Sequence, residues 1–137
     1  MIKIRQDRRL EIINSLKLCI NLEKVDLEDY FEKLRQLGKN LISNEIHQKL
    51  GKFFNILGSD TRLRILKVLN DKDYCVCELE AILDKSQSSI SHHLKLLESV
   101  GLIRGVKKGY FTHYELIKDK FLEYMQSFVA EYSFSSK

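Results

Sequence analysis

Cys75 and Cys77, separated by one residue in the stretch DYCVCELEAIL, are the side chains of this sequence best equipped for chemistry. If residues 74–76 are extended, strand alternation puts both thiols on one face. In a regular helix they would point about 200° apart. Joint action therefore requires an extended or irregular entrance to the helix that ELEAIL predicts. A helix N-terminus lowers a thiol pKa and supplies the thiolate that binds soft ions. Three readings are open: ligation of a soft ion, redox exchange of one of the pair with Cys19, and inert burial as small hydrophobes. A disulfide between Cys75 and Cys77 themselves is geometrically poor. The count of three cysteines is odd, which argues against a disulfide framework.

A second group of residues suits nucleic acid. Ser88, Ser91, His92 and Lys95 share one face of ISHHLKLLESVGL, with Ser86, Gln87 and Ser89 at its entrance. These side chains are short enough to let a helix into the major groove and polar enough to hydrogen-bond with base edges. Serine is a poor interior helix residue, so its repetition suggests a local use. Farther on, Lys107 and Lys108, with Tyr110 beside them, form a cationic tip that suits the phosphate backbone or minor groove. Between Asp84 and Tyr114 five Lys/Arg face two acids. The alternatives are a solvated basic surface, or the same fold used only for protein contact.

The elements that position these residues are mostly helical. Residues 8–20 carry Leu10, Ile13, Leu16, Lys17 and Ile20 at helical spacing, and Asp26 can cap a helix striped by Leu27, Tyr30, Leu34, Leu37 and Leu41. Ile46, Leu50, Phe53, Phe54 and Leu57 form the face of a third helix, closed by Gly58. Asp60 caps TRLRILKVL, which is apolar on several sides and expected near the core centre. Ile90, Leu94, Leu97 and Val100 make the inner stripe of the Ser/His helix, and Gly101 stops it. LIRGV and YFTHYEL, joined across KKG, read as a β-hairpin in which Gly109 takes a positive φ. A last helix from about Lys118 offers a broad apolar face of Phe121, Tyr124, Met125, Phe128, Val129 and Tyr132. SFSSK reads as a frayed tail. The expected division is a helical extension over 1–42 and a DNA-binding domain with flanking dimerisation helices over 43–134.

The chain of 137 residues is 44% hydrophobic and 31% charged, with a net charge of +4, an ordinary globular composition. No apolar run reaches the roughly 18–20 residues of a membrane span, and the N-terminus lacks the apolar core of a signal peptide, so a cytoplasmic protein is expected. No Gly-rich phosphate loop, partnered nucleophile or paired carboxylates stand out, so neither an enzyme nor an organic cofactor is expected.

FFNILGSDTRLRILKVL, CVCEL, SQSSISHHLKLLESVGLI and RGVKKGYFTHYEL resemble, in order, successive elements of the ArsR/SmtB family of repressors. The resemblance covers roughly residues 51–117. It implies a winged helix-turn-helix, mainly α with a small β-hairpin. It also implies a homodimer whose first and last helices form the interface, binding a double-stranded DNA operator and released by a metal or metalloid. The arsenic-sensing branch carries C-V-C-D-L-C, whereas this chain reads C-V-C-E-L-E, with Glu80 in the third thiol's place. Another branch recruits a cysteine from an N-terminal extension, for which Cys19 is the candidate here. Cys75, Cys77 and Cys19 together would suit As(III) or Sb(III), while Glu78 or Glu80 as a ligand would favour Zn(II) or Cd(II). The histidine-containing zinc site that some members carry on the last helix has no counterpart, since IKDKFLEYMQSFVAEY lacks histidine.

Overall fold

The computed structural model describes residues 5–19 and 26–133. The chain divides into two compact units, Met1–Glu45 and Ile46–Lys137. The expected place of Ile20 on the first helix, and the tail after Ser133, lie outside the described residues.

In the first unit α1 (Gln6–Cys19) packs against α2 (Leu27–Ile42), with Ile13 and Phe31 buried. Asp26 caps α2 as expected, accepting from the amides of Glu28 at 3.0 Å and Asp29 at 3.3 Å. The expected apolar stripes are only partly used. Leu10, Leu34, Leu37 and Leu41 are exposed, while Leu27 and Tyr30 are half-buried and the neighbouring Phe31 is the buried residue of α2. The Arg9 guanidinium lies 4.3 Å over the Phe31 ring and reaches Glu28 and Glu32 at 2.6 Å each. A cation held against an aromatic face is attracted to it electrostatically.

The second unit holds α3 (Glu45–Leu57, its first residue at the unit boundary), α4 (Asp60–Asp71), β1 (Tyr74–Cys75), α5 (Val76–Leu83), α6 (Gln87–Ser99), β2 (Ile103–Lys108), β3 (Phe111–Leu116) and α7 (Lys118–Glu131). Its core gathers Phe53 and Ile56 of α3, Ile65, Leu66 and Leu69 of α4, Leu79 of α5, and Ile90, Leu94 and Leu97 of α6. The α4 helix buries one stripe and leaves Leu63 exposed, so it is less enclosed than its composition suggests. Its cap is Ser59, which accepts from the Arg62 amide, and not Asp60, which is the first helical residue. The α7 helix leans on the core through stacked Phe53 and Tyr124 rings 4.2 Å apart, and the Tyr124 hydroxyl donates to the Val100 carbonyl at 2.9 Å.

Gly101 ends α6 at φ +74°, and Gly109 stands at +66° in a two-residue hairpin turn with Tyr110. A positive φ at the first turn residue alone marks a type II′ turn, which matches the strand twist. The lysines expected in that turn instead lie within β2, where Lys107 pairs with Thr112 and Lys108 with Phe111. The sheet has a third strand: β1 pairs antiparallel with β3, Tyr74 opposite Tyr114 and Cys75 opposite His113, in the order β1-β3-β2.

Gly105 sits where a Cβ would lie 2.8 Å from Thr112 Cγ2 and 3.3 Å from the Tyr114 ring. Threonine is stiff at χ1 and cannot swing aside freely. Gly105→Ala is therefore expected to lower stability by about 1–3 kcal/mol through overpacking, read as a lower urea midpoint at unchanged slope.

Candidate functional site

Asp84 ends α5 in the left-handed region at φ 51°, a conformation aspartate tolerates better than most residues. The chain turns there, and Ser86 starts α6 by accepting from the Ser89 amide at 3.2 Å while its hydroxyl contacts that of Ser88 at 3.2 Å. Ser86 thus shapes the helix start. Gln87, Ser88, Ser91, His92 and Lys95 are exposed on the side opposite Ile90, Leu94 and Leu97, while Ser89 is half-buried. No acid occupies the first turn, leaving the positive end of the helix open to an anion.

His93 lies between the two faces, and its Nδ1 is 3.1 Å from Arg62 Nη1. Arg62 also donates through Nε to the Ile56 carbonyl at 2.5 Å. One guanidinium therefore ties the C-terminal end of α3 to the polar helix. The partner of His93 is 31 positions away and carried no sequence signal. Since arginine only donates, Nδ1 accepts and the neutral ring carries its proton on Nε2. Burial, then the charges of Arg62, His92 and Lys85, hold the His93 pKa below the ordinary histidine value.

At the hairpin, Lys107 is exposed and Tyr110 is 98% exposed. Lys108 is differently placed, with Nζ 3.0 Å from Asp73 Oδ2. Arg104 is likewise bound to Glu115 across the hairpin. Neither carboxylate was foreseen, because a charge count does not reveal which cations are already paired.

The thiols converge. Cys75 ends β1 and is also the N-cap of α5, extended at φ −85° and ψ 171°, and its amide donates to Glu78 Oε1 at 3.0 Å. Its Sγ lies 3.0 Å from that of Cys77, so the helix entrance brings both to one side. Cys75 is buried and Cys77 exposed. Burial, followed by the hydrogen bond shared with Cys77, pushes the Cys75 thiol up, against the expectation that a helix N-terminus would lower it. Desolvation outweighs the helix end here. Glu78 moves the other way, because the Cys75 amide stabilises its carboxylate.

The sulfurs line an open pocket of about 340 Å³ with Glu80, Gln87, Tyr110, Phe111 and Tyr114. Two thiolates on one ion at about 2.3 Å each stand about 3.8 Å apart in tetrahedral geometry, so the pair fits such an ion once Cys77 swings out by about 0.8 Å. Among the described residues no three His, Cys, Asp or Glu side chains gather to hold one ion. Cys19 belongs to the other unit, exposed at the end of α1 with its thiol against the Leu16 carbonyl at 3.6 Å. Among the described residues no helix is long and apolar enough to cross a membrane.

Residues 59–104 match the family model described as a bacterial regulatory protein of the arsR family. The chain is 32% identical over 109 residues to the cadmium resistance transcriptional regulatory protein CadC of Listeria innocua, covering 79% of this chain and 83% of that one. A match of that length cannot fit within Ile46–Lys137, so the likeness runs into the N-terminal unit. The arsenical resistance operon repressor of Escherichia coli K12 is 45% identical over 64 residues, 46% of this chain and 55% of that one, so this chain spans about half of its length. Among solved structures, an ArsR-like transcriptional regulator from Rhodococcus sp. RHA1 shares the fold with a TM-score of 0.58 at 27% identity, covering 64% of this chain and 85% of that one.

Proposed function

This chain belongs to the arsR family of DNA-binding bacterial regulators, and from that premise we propose that it is a cytoplasmic, homodimeric repressor released from its operator by a soft metal or metalloid bound at Cys75 and Cys77. The observation that carries the release half of this reading is the double position of Cys75. It is a rung of the ladder to β3, opposite His113, and the cap of α5, which leads into α6 through the turn at Asp84. The thiol pair is thus joined to both elements with DNA-facing chemistry, to the hairpin through the β1–β3 ladder and to α6 through α5.

A soft ion or metalloid would be held by the Cys75 and Cys77 thiolates and would supply the coordination that constrains both sulfurs. The chain does the rest. Cys75 and Cys77 part from their 3.0 Å contact, the Glu78 carboxylate holds the Cys75 amide at the α5 cap, and the His113 rung passes the displacement to the hairpin. Ser88, Ser91, His92 and Lys95, with Gln87, read base edges, while Lys107, Lys108 and Tyr110 lie along the backbone. Ile46, Phe54, Leu122, Val129 and Tyr132 leave apolar surface exposed on α3 and α7, which supports pairing of two copies through these helices. A two-fold dimer requires an operator with two half-sites related by symmetry.

The test is a titration of the reduced protein with arsenite, Cd(II) and Zn(II), following thiolate absorption and operator release together. Release that saturates with the thiolate signal is expected for at least one of the three. Absence of release with all of them would sink the sensing half.

Charge distribution gives the DNA half its own check. Lys107→Ala is expected to shallow the dependence of log K on log salt by about 1 for each protomer, close to one released counterion. Asp73→Asn frees Lys108 from its ion pair and is expected to steepen the slope and tighten binding. Ser91→Ala and His92→Ala should relax sequence preference and leave the slope alone. A slope indifferent to both Lys107 and Asp73 would point to a protein-contact module instead.

A further inference from the structure

Resting on the reading of the chain as a homodimer, we infer that α2 is a second pairing element, which joins α2 of another copy as a short two-stranded coiled coil. The spacing of its apolar residues carries this. Leu27, Tyr30, Leu34, Leu37 and Leu41 follow one another at intervals of three, four, three and four residues. That alternation is the a/d repeat of a coiled coil, a narrower stripe than the one a globular helix turns toward its own core.

Packing within the chain leaves the seam open. The helix buries Phe31 and half-buries Arg35 and Gly38, each one position past a seam residue. Leu34, Leu37 and Leu41 stay 36%, 57% and 50% exposed. The flanks suit a second copy. Phe31 and Gly38 border the exposed part of the seam on one side, Lys33 and Asn40 on the other. The Lys33 ammonium is held 3.0 Å from Asp29 of its own helix, so two copies meet without an unpaired like charge. Leucines repeated on identical helices are also self-complementary, as a two-fold contact requires.

Length decides how the pairing works. The 16 residues of α2 make a helix about 24 Å long, and helices this short are marginal in water by themselves. Only Ser43 and Asn44 separate α2 from α3, one of the helices proposed to join two copies. Once α3 and α7 pair, the two α2 helices are tethered at an effective concentration of roughly millimolar order. The seam then adds affinity to an association it could not sustain alone.

The experiment is sedimentation equilibrium of the full-length reduced protein. Leu34→Glu/Leu37→Glu and Leu34→Lys/Leu37→Lys place good helix formers at positions exposed in the single chain, so far-UV circular dichroism should match wild type. Each double variant alone is expected to raise the dimer dissociation constant about 100-fold. An equimolar mixture of the two should recover most of that loss, because opposite charges then meet across the seam. Leu34→Ala/Leu37→Ala, which cannot disturb the helix by charge, should weaken the dimer about tenfold. A dissociation constant that none of these variants changes overturns the inference. A mixture no tighter than its components does so as well, since α2 would then meet some other surface. Val129→Glu, on the exposed side of α7, tests the reading beneath. If it leaves the dimer intact while the seam variants weaken it, pairing through α3 and α7 fails and the seam stands. If it alone dissociates the dimer and the seam variants are silent, the homodimer reading stands and the coiled coil falls.

Discussion

Arg62→Ala is expected to destabilise the DNA-binding unit by about 2–3 kcal/mol, the scale of hydrogen bonds to a charged donor whose acceptors are left partly buried. The two acceptors are the Ile56 carbonyl at 2.5 Å and His93 Nδ1 at 3.1 Å. Arg62→Lys should recover little of the loss, since an ammonium cannot span both acceptors as the guanidinium fork does. The same contact predicts an acid-sensitive step. His93 has a pKa lowered in the folded state by burial, Arg62, His92 and Lys85. A group shifted this way contributes stability that is fully present above its unfolded pKa, near 6.5, and lost as pH falls through the lower folded value. Protonation of Nδ1 removes the acceptor and sets two cations face to face. Urea midpoints should therefore fall between about pH 6.5 and pH 5 in wild type, and fall less in His93→Gln, whose amide oxygen can still accept from Arg62. Operator affinity should follow the same pH course, because His93 sits on α6 beside the residues proposed to read bases. Equal midpoints at pH 7.5 and 5.5 in wild type would show that the contact carries no such weight.

Why the α6 face was legible and its fastening was not has a physical reason. Ile90, Leu94, Leu97 and Val100 declare a buried stripe through spacing alone, and the stripe fixes which way Ser88, Ser91, His92 and Lys95 point. Gly109 likewise announces a positive φ and takes it, and Gly101, read as the stop of α6, stands at one too. Arg62 with His93 and Lys108 with Asp73 are long-range polar pairs, 31 and 35 residues apart, and periodicity is silent about such partners. The two-residue β1 is too short to show alternation and exists because β3 offers it an edge. In the N-terminal unit the leucines of α2 suggested an inward stripe, yet Phe31, beside that stripe and under Arg9, is the buried residue while Leu34, Leu37 and Leu41 stay exposed. For Cys75 the helix end and burial oppose one another, and only the folded chain reveals that burial prevails.

The opposition at Cys75 makes its serine variant the most informative one. Serine is among the preferred N-cap residues, so Cys75→Ser should keep the entrance to α5, the rung opposite His113 and operator binding close to wild type. What it removes is one of two sulfurs, and a lone thiolate at Cys77 cannot chelate. The concentration of arsenite or Cd(II) that half-releases the operator should rise by about 100-fold or more, the scale expected when a soft ligand is lost from a bidentate pair. Cys77→Ser should lose the response equally, because both sulfurs face the same pocket despite their different burial. The two thiols should nevertheless differ in pH dependence. Cys75 is held protonated by burial, so effector uptake by wild type should strengthen as pH rises toward its raised pKa. In the folded state this raised pKa also means stability present below the unfolded thiol value and lost as pH climbs through the folded one, a term that Cys75→Ser abolishes. Anisotropy titrations of labelled operator at pH 7 and 8.5 would read the first effect, and urea midpoints over pH 7–10 the second. If Cys75→Ser still releases DNA at wild-type arsenite and Cd(II) concentrations, the sensing site lies elsewhere. If it fails to bind DNA while remaining folded, the sulfur itself orders the hairpin. A mechanical link from β1 to β3 requires the first result to be excluded and loading to alter hydrogen exchange at the His113 rung.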